Sequence, residues 1–178
     1  MRYNAYMDTN ISAQIEQLSQ MIRDSGRIVF LGGAGTSTES GIPDFRSSDG
    51  VFQATKEFGC PPEELISHDY FFRHTDTFYR YYRKYLLYPD AKPNDAHRAL
   101  ALLERAGKLT AVVTQNIDNL HQAAGSRNVL ELHGSVYRNT CLSCGRAYTL
   151  QEILPMDNVP HCACGGLIKP DVVLYGAR

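Results

Sequence analysis

The chain has 178 residues, of which 43% are hydrophobic and 21% are charged, and its formal net charge is −1. This length and apolar content suit one domain of ordinary size, and scattered Lys and Arg in a nearly neutral chain argue against direct binding of nucleic acid or a membrane surface. Because no apolar run approaches the roughly 20 residues of a membrane span and the first residues lack a signal-peptide region, we expect a cytoplasmic protein.

The first predicted elements are a helix and a strand. Residues 12–25 predict a helix, with Ser12 as its N-cap and Gly26 as its stop. The apolar residues that share one face of this helix are Ile15, Leu18, Met21 and Ile22. Residues 28–31 follow directly as an apolar run that predicts a buried strand.

A glycine-rich string, GAGTSTESGIPDFR, runs from Gly33 to Arg46 just after this strand. Backbone N–H groups at a strand-to-helix turn favour bound negative charge, and most such turns carry phosphate. The string is not a P-loop, because Ile42 and Pro43 follow its last glycine, and it matches only half of the dinucleotide fingerprint. Its tail supplies a rigid bend, an acid, an aromatic face and a fixed cation, which indicates a site that holds and shields a charged organic cofactor.

Residues 51–88 are rich in aromatic side chains with helical spacing, which we interpret as core and helix packing. The aromatic residues concerned are Phe71, Phe72, Phe78, Tyr79, Tyr81, Tyr82 and Tyr85.

Strands and a helix alternate in the next part of the chain. Pro93-Asn94-Asp95 opens a helix that Gly107 ends, and residues 109–113 and 129–132 predict strands. The apolar face expected for the helix consists of Ala96, Leu100, Leu103 and Ala106. This alternation predicts a parallel sheet, in which ligands gather beyond the carboxyl ends of the strands. The Gly33 turn, the Gln115 segment and His133 all fall at that edge.

The five cysteines are unevenly placed and odd in number, which favours a reducing compartment over a disulfide framework. Four of them form two close pairs separated by 17 residues, Cys141-x-x-Cys144 and Cys162-x-Cys164. Two such turns can present four sulfurs tetrahedrally to zinc, and a zinc with four protein ligands is structural. A disulfide, an iron site with four thiolates, and replacement of one thiol by His161 are the alternatives.

Four segments in order resemble the sirtuins, the NAD-dependent protein deacylases, and bacterial sirtuins above all. They are the Gly33–Arg46 string, TQNIDNLH from Thr114, ELHG from Glu131 and KPDVVLYG from Lys169. The resemblance implies an α/β fold, with a Rossmann-like parallel sheet that is incomplete at the C-terminus, a small helical lobe and a zinc-binding insert. The expected division is a partial NAD-binding domain (1–50, 89–136 and 169–178), a helical lobe (51–88) and a zinc module (137–168).

The resemblance also implies which residues bind NAD: Gly33, Ala34, Gly35, Thr38, Phe45, Arg46, Gln115, Asn116, Ile117, Asp118 and His133. Among them, Phe45 is expected to cover the reacting ribose and Arg46 to orient the cofactor. Asp118 is expected to accept from the carboxamide of nicotinamide, with helix capping as its alternative role. The catalytic set implied is His133, Asn116, Asp118 and Arg46, and His121 is interpreted as structural.

In this family an acetylated lysine attacks NAD, nicotinamide leaves, and a histidine takes a proton from a ribose hydroxyl that attacks the bound imidate. The products are free lysine, nicotinamide and O-acetyl-ADP-ribose. The match assigns His133 as that base, and imidazole suits the task because its pKa lies near working pH. Residues 172–175 resemble the strand to which the peptide adds by backbone pairing, with Val173 and Tyr175 as substrate contacts.

The family pattern continues beyond Gly176 for roughly another third of its fold, so we also expect a truncated chain. Two alternative functions stay open on the sequence. One is an inactive zinc-stabilised fragment of such an enzyme, and the other is an NAD-dependent ADP-ribosyltransferase. The sequence predicts no oligomeric state.

Overall fold

The computed structural model describes residues 2–44 and 55–177. A parallel sheet has the order β1-β2-β3, formed by β1 (Ile28–Gly32), β2 (Leu109–Thr114) and β3 (Val129–Glu131). The predicted parallel sheet is therefore confirmed, and each predicted strand is matched to within one residue at its end.

A second sheet is antiparallel and has the order β5-β4-β6. It consists of β4 (Gly134–Cys141), β5 (Ala147–Thr149) and β6 (Ile168–Val172). Because β4 begins three residues after β3 ends, the chain passes from one sheet to the other through Leu132 and His133 alone. The domain boundaries proposed from the sequence stay a prediction.

The helices connect and cover these sheets. They are α1 (Arg2–Asp24), the 3-10 helix (Ala34–Ser40), α2 (Pro62–Leu65), α3 (His68–Arg73), α4 (Thr75–Tyr85), α5 (Asp95–Arg105), α6 (Leu120–Ala123) and α7 (Leu150–Ile153).

Helix α1 begins well before the predicted N-cap, Ser12, which lies in its interior. Residues 2–24 contain neither Gly nor Pro, so nothing in the sequence stops the helix from extending upstream. Its end matches the prediction, since α1 finishes at Asp24 and Gly26 follows. The Lys108 ammonium donates to the carbonyls of Ile22, Arg23 and Ser25 at 3.0, 2.6 and 3.3 Å and so satisfies the last turn.

Within residues 2–44 and 55–177, the parallel sheet is packed on one face only. Ile28 and Phe30 of β1 pack with Leu100 of α5 and with Val112 of β2. The alternate residues Val29 and Leu31 point the other way and are 62% and 69% exposed. The expectation of a buried strand is therefore wrong for β1: among the described residues, only its α5 side is covered.

The aromatic segment forms a core, as predicted. Phe71, Phe78, Tyr79 and Tyr82 are buried and share one cluster with residues of β4, α7 and β6. The Tyr79 hydroxyl donates to the Ile168 carbonyl of β6. Phe72 is the exception among the three phenylalanines and tyrosines of α3, since half of its surface is exposed.

Helix α5 begins after Asn94 and ends before Gly107, as predicted, but its buried face is rotated. Ala96 and Ala106, expected inside, are exposed, whereas His97, Leu100 and Ala101 are buried. The reason is His97: its imidazole belongs to the N-terminal capping box and packs against His121 of α6, which turns that side of the helix inwards.

Candidate functional site

The carboxyl ends of β1, β2 and β3 bring the three predicted segments to one edge. The Gln115 N–H donates to the Gly32 carbonyl at 3.0 Å, which joins the glycine turn to the end of β2. The Leu132 N–H donates to the Thr114 carbonyl at 2.9 Å, which places the His133 turn on the other side of β2. Parallel strands build such a crevice because all their carboxyl ends face the same way.

The glycine turn continues into the 3-10 helix with Gly33 as its N-terminal flanking residue. A Cβ at Gly33 would lie 3.3 Å from the Gln115 side-chain oxygen, so a larger residue would crowd the crevice. Ala34 is half-buried, whereas Gly35 and Thr38 are exposed. The Thr38 hydroxyl donates to the Gly35 carbonyl at 3.0 Å, within the same helix.

A side chain that sequence reasoning missed, Ser37, connects this helix to the segment after β2. Ser37 is buried, and its hydroxyl donates to the Asp118 carboxylate at 2.6 Å. The Asn116 side-chain amide donates to the Ser37 oxygen at 3.0 Å. The signal for Ser37 was its position between Gly35 and Gly41, but the choice among Ser37, Thr38 and Ser40 depends on which way a 3-10 helix turns.

Asp118 joins the glycine turn to the start of α6. One carboxylate oxygen accepts from Ser37, and the other accepts from the Leu120 N–H at 2.9 Å, where α6 begins. Half-buried Ile117 precedes it, and the Ile117 carbonyl accepts from the Val136 N–H of β4 at 3.1 Å. Segment 115–118 is thus attached to the glycine turn and to both sheets.

Two buried histidines lie beneath this segment. The ring centroids of His97 and His121 are 4.7 Å apart, and burial lowers the pKa of both. The pKa of His121 falls to about 4, because burial and then the neighbouring His97 oppose its charge, and Asp118 only partly offsets them. Both imidazoles are therefore neutral at pH 7, which agrees with a structural role for His121. His97 was not singled out from the sequence.

His133 is exposed, and its Nδ1 lies 2.9 Å from the Gln115 carbonyl oxygen. A carbonyl can only accept, so Nδ1 of the neutral ring carries the proton and Nε2 carries the lone pair. Glu131, just before this turn, accepts from Gln122 of α6 at 2.8 Å and from Arg138 of β4 at 2.6 Å. The imidazole is thus held in one tautomer on a turn that is braced from both sides.

The predicted substrate segment lies next to His133. The Val173 N–H donates to the His133 carbonyl at 3.0 Å. The Tyr175 N–H donates to the Ile66 carbonyl at 3.1 Å, and the His68 N–H donates to the Tyr175 carbonyl at 2.9 Å. The segment therefore runs from the His133 turn to the helical lobe, with the side chains of Val173 and Tyr175 more than half exposed.

The four paired cysteines form one cluster at the end of β4. The sulfurs of Cys141, Cys144, Cys162 and Cys164 lie within 4.8 Å of one another. The closest pairs, Cys141–Cys164 and Cys144–Cys162, are 3.6 Å apart, whereas a disulfide bond is about 2.05 Å long. Four sulfurs at this spacing are compatible with tetrahedral zinc, and His161 is not part of the group.

Local backbone geometry favours the thiolate at Cys141 and Cys162, whereas the pKa of Cys164 is raised to about 12, because the other three sulfurs outweigh the backbone N–H of Gly166. The backbone N–H of Cys144 lowers the pKa of Cys141, and the backbone N–H of Cys164 lowers the pKa of Cys162 to about 6. A Cβ at Gly166 would lie 2.7 Å from the Cys141 sulfur, so the second turn needs glycine to close on the first. The donor set and its surroundings thus fit zinc.

Two predicted site residues, Phe45 and Arg46, lie outside the described residues. In the part of the chain that is described, we find no helix with the length and apolar character of a membrane span.

Comparisons with known proteins agree on one family. Residues 33–178 match the model of the Sir2 family. The chain is 56% identical over 163 residues to an NAD-dependent protein deacetylase of Clostridium perfringens, covering 91% of this chain and 67% of that protein. It is 54% identical over 160 residues to an NAD-dependent protein deacetylase of Cutibacterium acnes, covering 90% and 66%. The chain thus spans about two thirds of the length of these relatives.

A solved structure gives the same result. It shows a Sir2 variant with deacetylated p53 peptide and 3'-O-acetyl ADP ribose, and it superimposes with a TM-score of 0.80 at 39% identity. The match covers 92% of this chain and 66% of that one.

Proposed function

This chain belongs to the Sir2 family, and on that premise we propose that it is an NAD-dependent protein lysine deacetylase. The observation that carries the proposal is the arrangement of His133, Gln115 and the glycine turn at one sheet edge, with His133 held through Nδ1. An acetylated lysine and NAD are the substrates, and the products are free lysine, nicotinamide and O-acetyl-ADP-ribose.

The glycine turn would hold the pyrophosphate of NAD. Gly33, Ala34 and Gly35 let the substrate approach the backbone, and Thr38 lies on the same 3-10 helix. Phe45 and Arg46 would cover the ribose and orient the phosphates, as the sequence predicts. The Gln115 side-chain oxygen would lie 3.3 Å from a Cβ at Gly33, and this proximity supports a shared pocket for this half of NAD.

The segment after β2 would bind the nicotinamide end. Gln115 and Asn116 offer amides to the ribose and to a water, while Ile117 and Asp118 form the pocket for the carboxamide. The hydrogen bonds from Ser37 to Asp118 and from Asn116 to Ser37 support this assignment, because they fix both polar side chains before substrate arrives.

His133 would act as the general base through Nε2. After the amide oxygen of acetyl-lysine has displaced nicotinamide, Nε2 takes the proton of a ribose hydroxyl, and that oxygen attacks the imidate carbon. Water then completes the release of lysine. The Gln115 carbonyl supports this role in two ways. It selects the tautomer with the proton on Nδ1, and it stabilises the imidazolium that forms.

The peptide would add to the chain at Val173–Tyr175, where the Val173 carbonyl accepts from the substrate lysine N–H. None of the loop hydrogen bonds found in residues 2–44 and 55–177 ends on that carbonyl, which supports its availability. Backbone pairing reads little side-chain identity, so broad sequence tolerance is expected. The zinc would be structural, since four thiolates leave no position for water.

The same proposal includes a cytoplasmic protein acting on acetylated proteins, without direct contact to nucleic acid or membrane. Clustered free thiols favour a reducing compartment, and the Lys and Arg residues are scattered along a nearly neutral chain rather than clustered.

The test is nicotinamide release by the purified, zinc-loaded chain with NAD and an acetyl-lysine peptide. Release that depends on the peptide, together with O-acetyl-ADP-ribose, is expected. His133→Ala should lower formation of this product by at least about 100-fold. His74→Asn is the matched control, because it removes another exposed imidazole and leaves a residue that can still cap α4.

Two outcomes would contradict the proposal. Folded, zinc-loaded protein that releases no nicotinamide would make this chain an inactive member of its family. Transfer of ADP-ribose to a protein without O-acetyl-ADP-ribose would make it an ADP-ribosyltransferase.

A further inference from the structure

Asn94 precedes α5 and lies beside the glycine turn, although it belongs to neither of the segments that carry the proposed chemistry. Its side chain is buried, with 8% of the residue exposed. The side-chain oxygen accepts from the backbone N–H groups of Ala96 and His97 at 3.0 and 3.3 Å and so caps α5. The side-chain nitrogen donates to the Thr36 carbonyl at 2.8 Å.

The partners of this amide fix its orientation. Two backbone N–H groups require an oxygen, and the Thr36 carbonyl requires an N–H. Ser, Thr and Asp also cap helices, but an ionised carboxylate has no donor, and the single oxygen of a hydroxyl cannot replace separate acceptor and donor atoms that face opposite ways. Capping alone therefore does not explain an amide at this position.

The hydrogen bond to Thr36 lies next to a second set of hydrogen bonds that reach segment 115–118. Ser37 is the next residue, and its hydroxyl donates to Asp118 and accepts from Asn116. A 3-10 helix has poorer hydrogen-bond geometry than an α-helix and depends more on outside contacts. Asn94 holds the backbone of this helix one residue before the side chain that joins it to segment 115–118.

We propose that Asn94 is a positioning residue for the NAD site, because its amide ties the N-terminus of α5 to the 3-10 helix and so keeps Ser37 against Asn116 and Asp118. The inference rests on the proposed function. It adds a residue that does not touch substrate but sets where the turn and segment 115–118 stand relative to each other.

The test distinguishes the hydrogen bond from Asn94 to Thr36 from the capping of α5 by Asn94. Asn94→Ser and Asn94→Asp keep a capping oxygen but lose the amide nitrogen that donates to the Thr36 carbonyl, and Asp also places an oxygen towards that carbonyl. Thr149→Ala is the control, because it removes a cap of α7 in the other sheet region without touching the turn. The first readout is solvent exchange of the Asn116 side-chain amide protons by NMR, in the full zinc-loaded chain without substrate. The second is the affinity for NAD by calorimetry.

Both Asn94 variants are expected to speed exchange of the Asn116 amide at least about tenfold and to weaken NAD binding by a similar factor. Thr149→Ala should lower the melting temperature and leave both readouts unchanged. Unaltered Asn116 exchange in the two Asn94 variants would overturn the proposal, as would equally fast exchange in Thr149→Ala. If the wild-type chain binds no NAD, the proposed function fails, and Asn116 exchange still decides the role of Asn94.

Discussion

Single backbone positions set the geometry around His133, and Gly134 is the most constrained of them. It has φ of 76°, and a Cβ there would lie 1.9 Å from the Asp171 carbonyl oxygen of β6. Gly134 therefore lets β4 and β6 approach each other immediately after the proposed base. Any side chain would push β4 away from β6 next to His133 and Val173.

We expect Gly134→Ala to lower the free energy of unfolding by more than about 3 kcal/mol, since it adds a backbone clash to an unfavourable φ. Urea denaturation followed by circular dichroism measures the change. Gly107→Ala is the control, because Gly107 has a similar φ of 72° but open space around its Cβ. That variant should lose only about 1 kcal/mol. Equal losses in the two variants would refute the clash.

The buried pair of histidines gives the fold a predictable response to acid. The pKa of His121 is lowered from 6.5 to about 4, so the unfolded chain binds the proton more tightly than the folded one. Its contribution to stability is complete above pH 6.5 and is lost as the pH falls towards 4. We expect the free energy of unfolding to fall by about 1.4 kcal/mol more in wild type than in His121→Leu between pH 7.5 and 5.5. Parallel pH profiles would show that His121 does not titrate this way.

At the residue scale, the sequence predicted side chains whose chemistry stands out in a motif. His133, Gln115 and the four clustered cysteines lie where strand ends and turn spacing indicate. Ser37 and Asn94 were missed because their roles depend on contacts over 81 and 58 residues, and His97 because its partner His121 is 24 residues away, which no local pattern encodes. Whether the predicted residues act as proposed depends on the experiments above.

Among the elements, α4 is tied to the loop after α7 by Arg83. Its guanidinium donates to five backbone carbonyls between 2.9 and 3.3 Å, those of Ile153, Leu154, Met156, Asp157 and Asn158. A planar group with five N–H donors suits such a nest of carbonyls better than an ammonium does.

Arg83→Lys should therefore lower the free energy of unfolding by about 2 kcal/mol, since several carbonyls lose their donor while the charge is kept. Hydrogen exchange by mass spectrometry should show faster exchange in residues 150–160 than elsewhere. Arg80→Lys, on the exposed side of the same helix, should change little. A uniform increase in exchange over the whole chain would argue against a local tie.

The sequence predicted element boundaries correctly where a glycine or a capping residue set them, as at the ends of α1 and α5. The prediction was wrong where no such residue marked the boundary, as at the start of α1. Ser12 is a residue type that often caps helices. Here the residues on both sides of Ser12 are all compatible with a helix, so the helix continues through this position. The buried face of α5 was misjudged because an imidazole was counted as polar, whereas the pair with His121 makes it an interior residue.

For the whole molecule, the aromatic core is shared between the helical lobe and the sheet that ends in the cysteines. Cys141 and Cys162 belong to the same buried cluster as Phe71, Phe78 and Tyr82. A structural zinc contributes on the order of 10 kcal/mol, comparable to the entire stability of a domain. Metal loss should therefore disturb the lobe as well as the turns that bind the metal.

We expect chelation of zinc to abolish the near-ultraviolet circular dichroism of the tyrosines in the lobe, and Cys144→Ser to have the same effect. Cys60→Ser is the control, because this thiol lies outside the cluster and should leave zinc content and spectrum unchanged. A full near-ultraviolet spectrum in metal-free protein would show that the core does not depend on the cluster.

Leu132 and His133 are the only residues between the last strand of the parallel sheet and the first strand of the antiparallel sheet. The Leu132 N–H donates to Thr114 of the parallel sheet, and the His133 carbonyl accepts from Val173, just after β6 of the antiparallel sheet. The proposed base therefore sits on a joint rather than on a rigid strand. The cysteine turns lie at the other end of β4. Insertions or deletions in these turns can therefore change the protein surface without moving Leu132 and His133. A single residue added between β3 and β4, by contrast, would rotate the imidazole away from Gln115. We thus expect length variation among relatives to concentrate around the cysteines and to spare the two-residue joint.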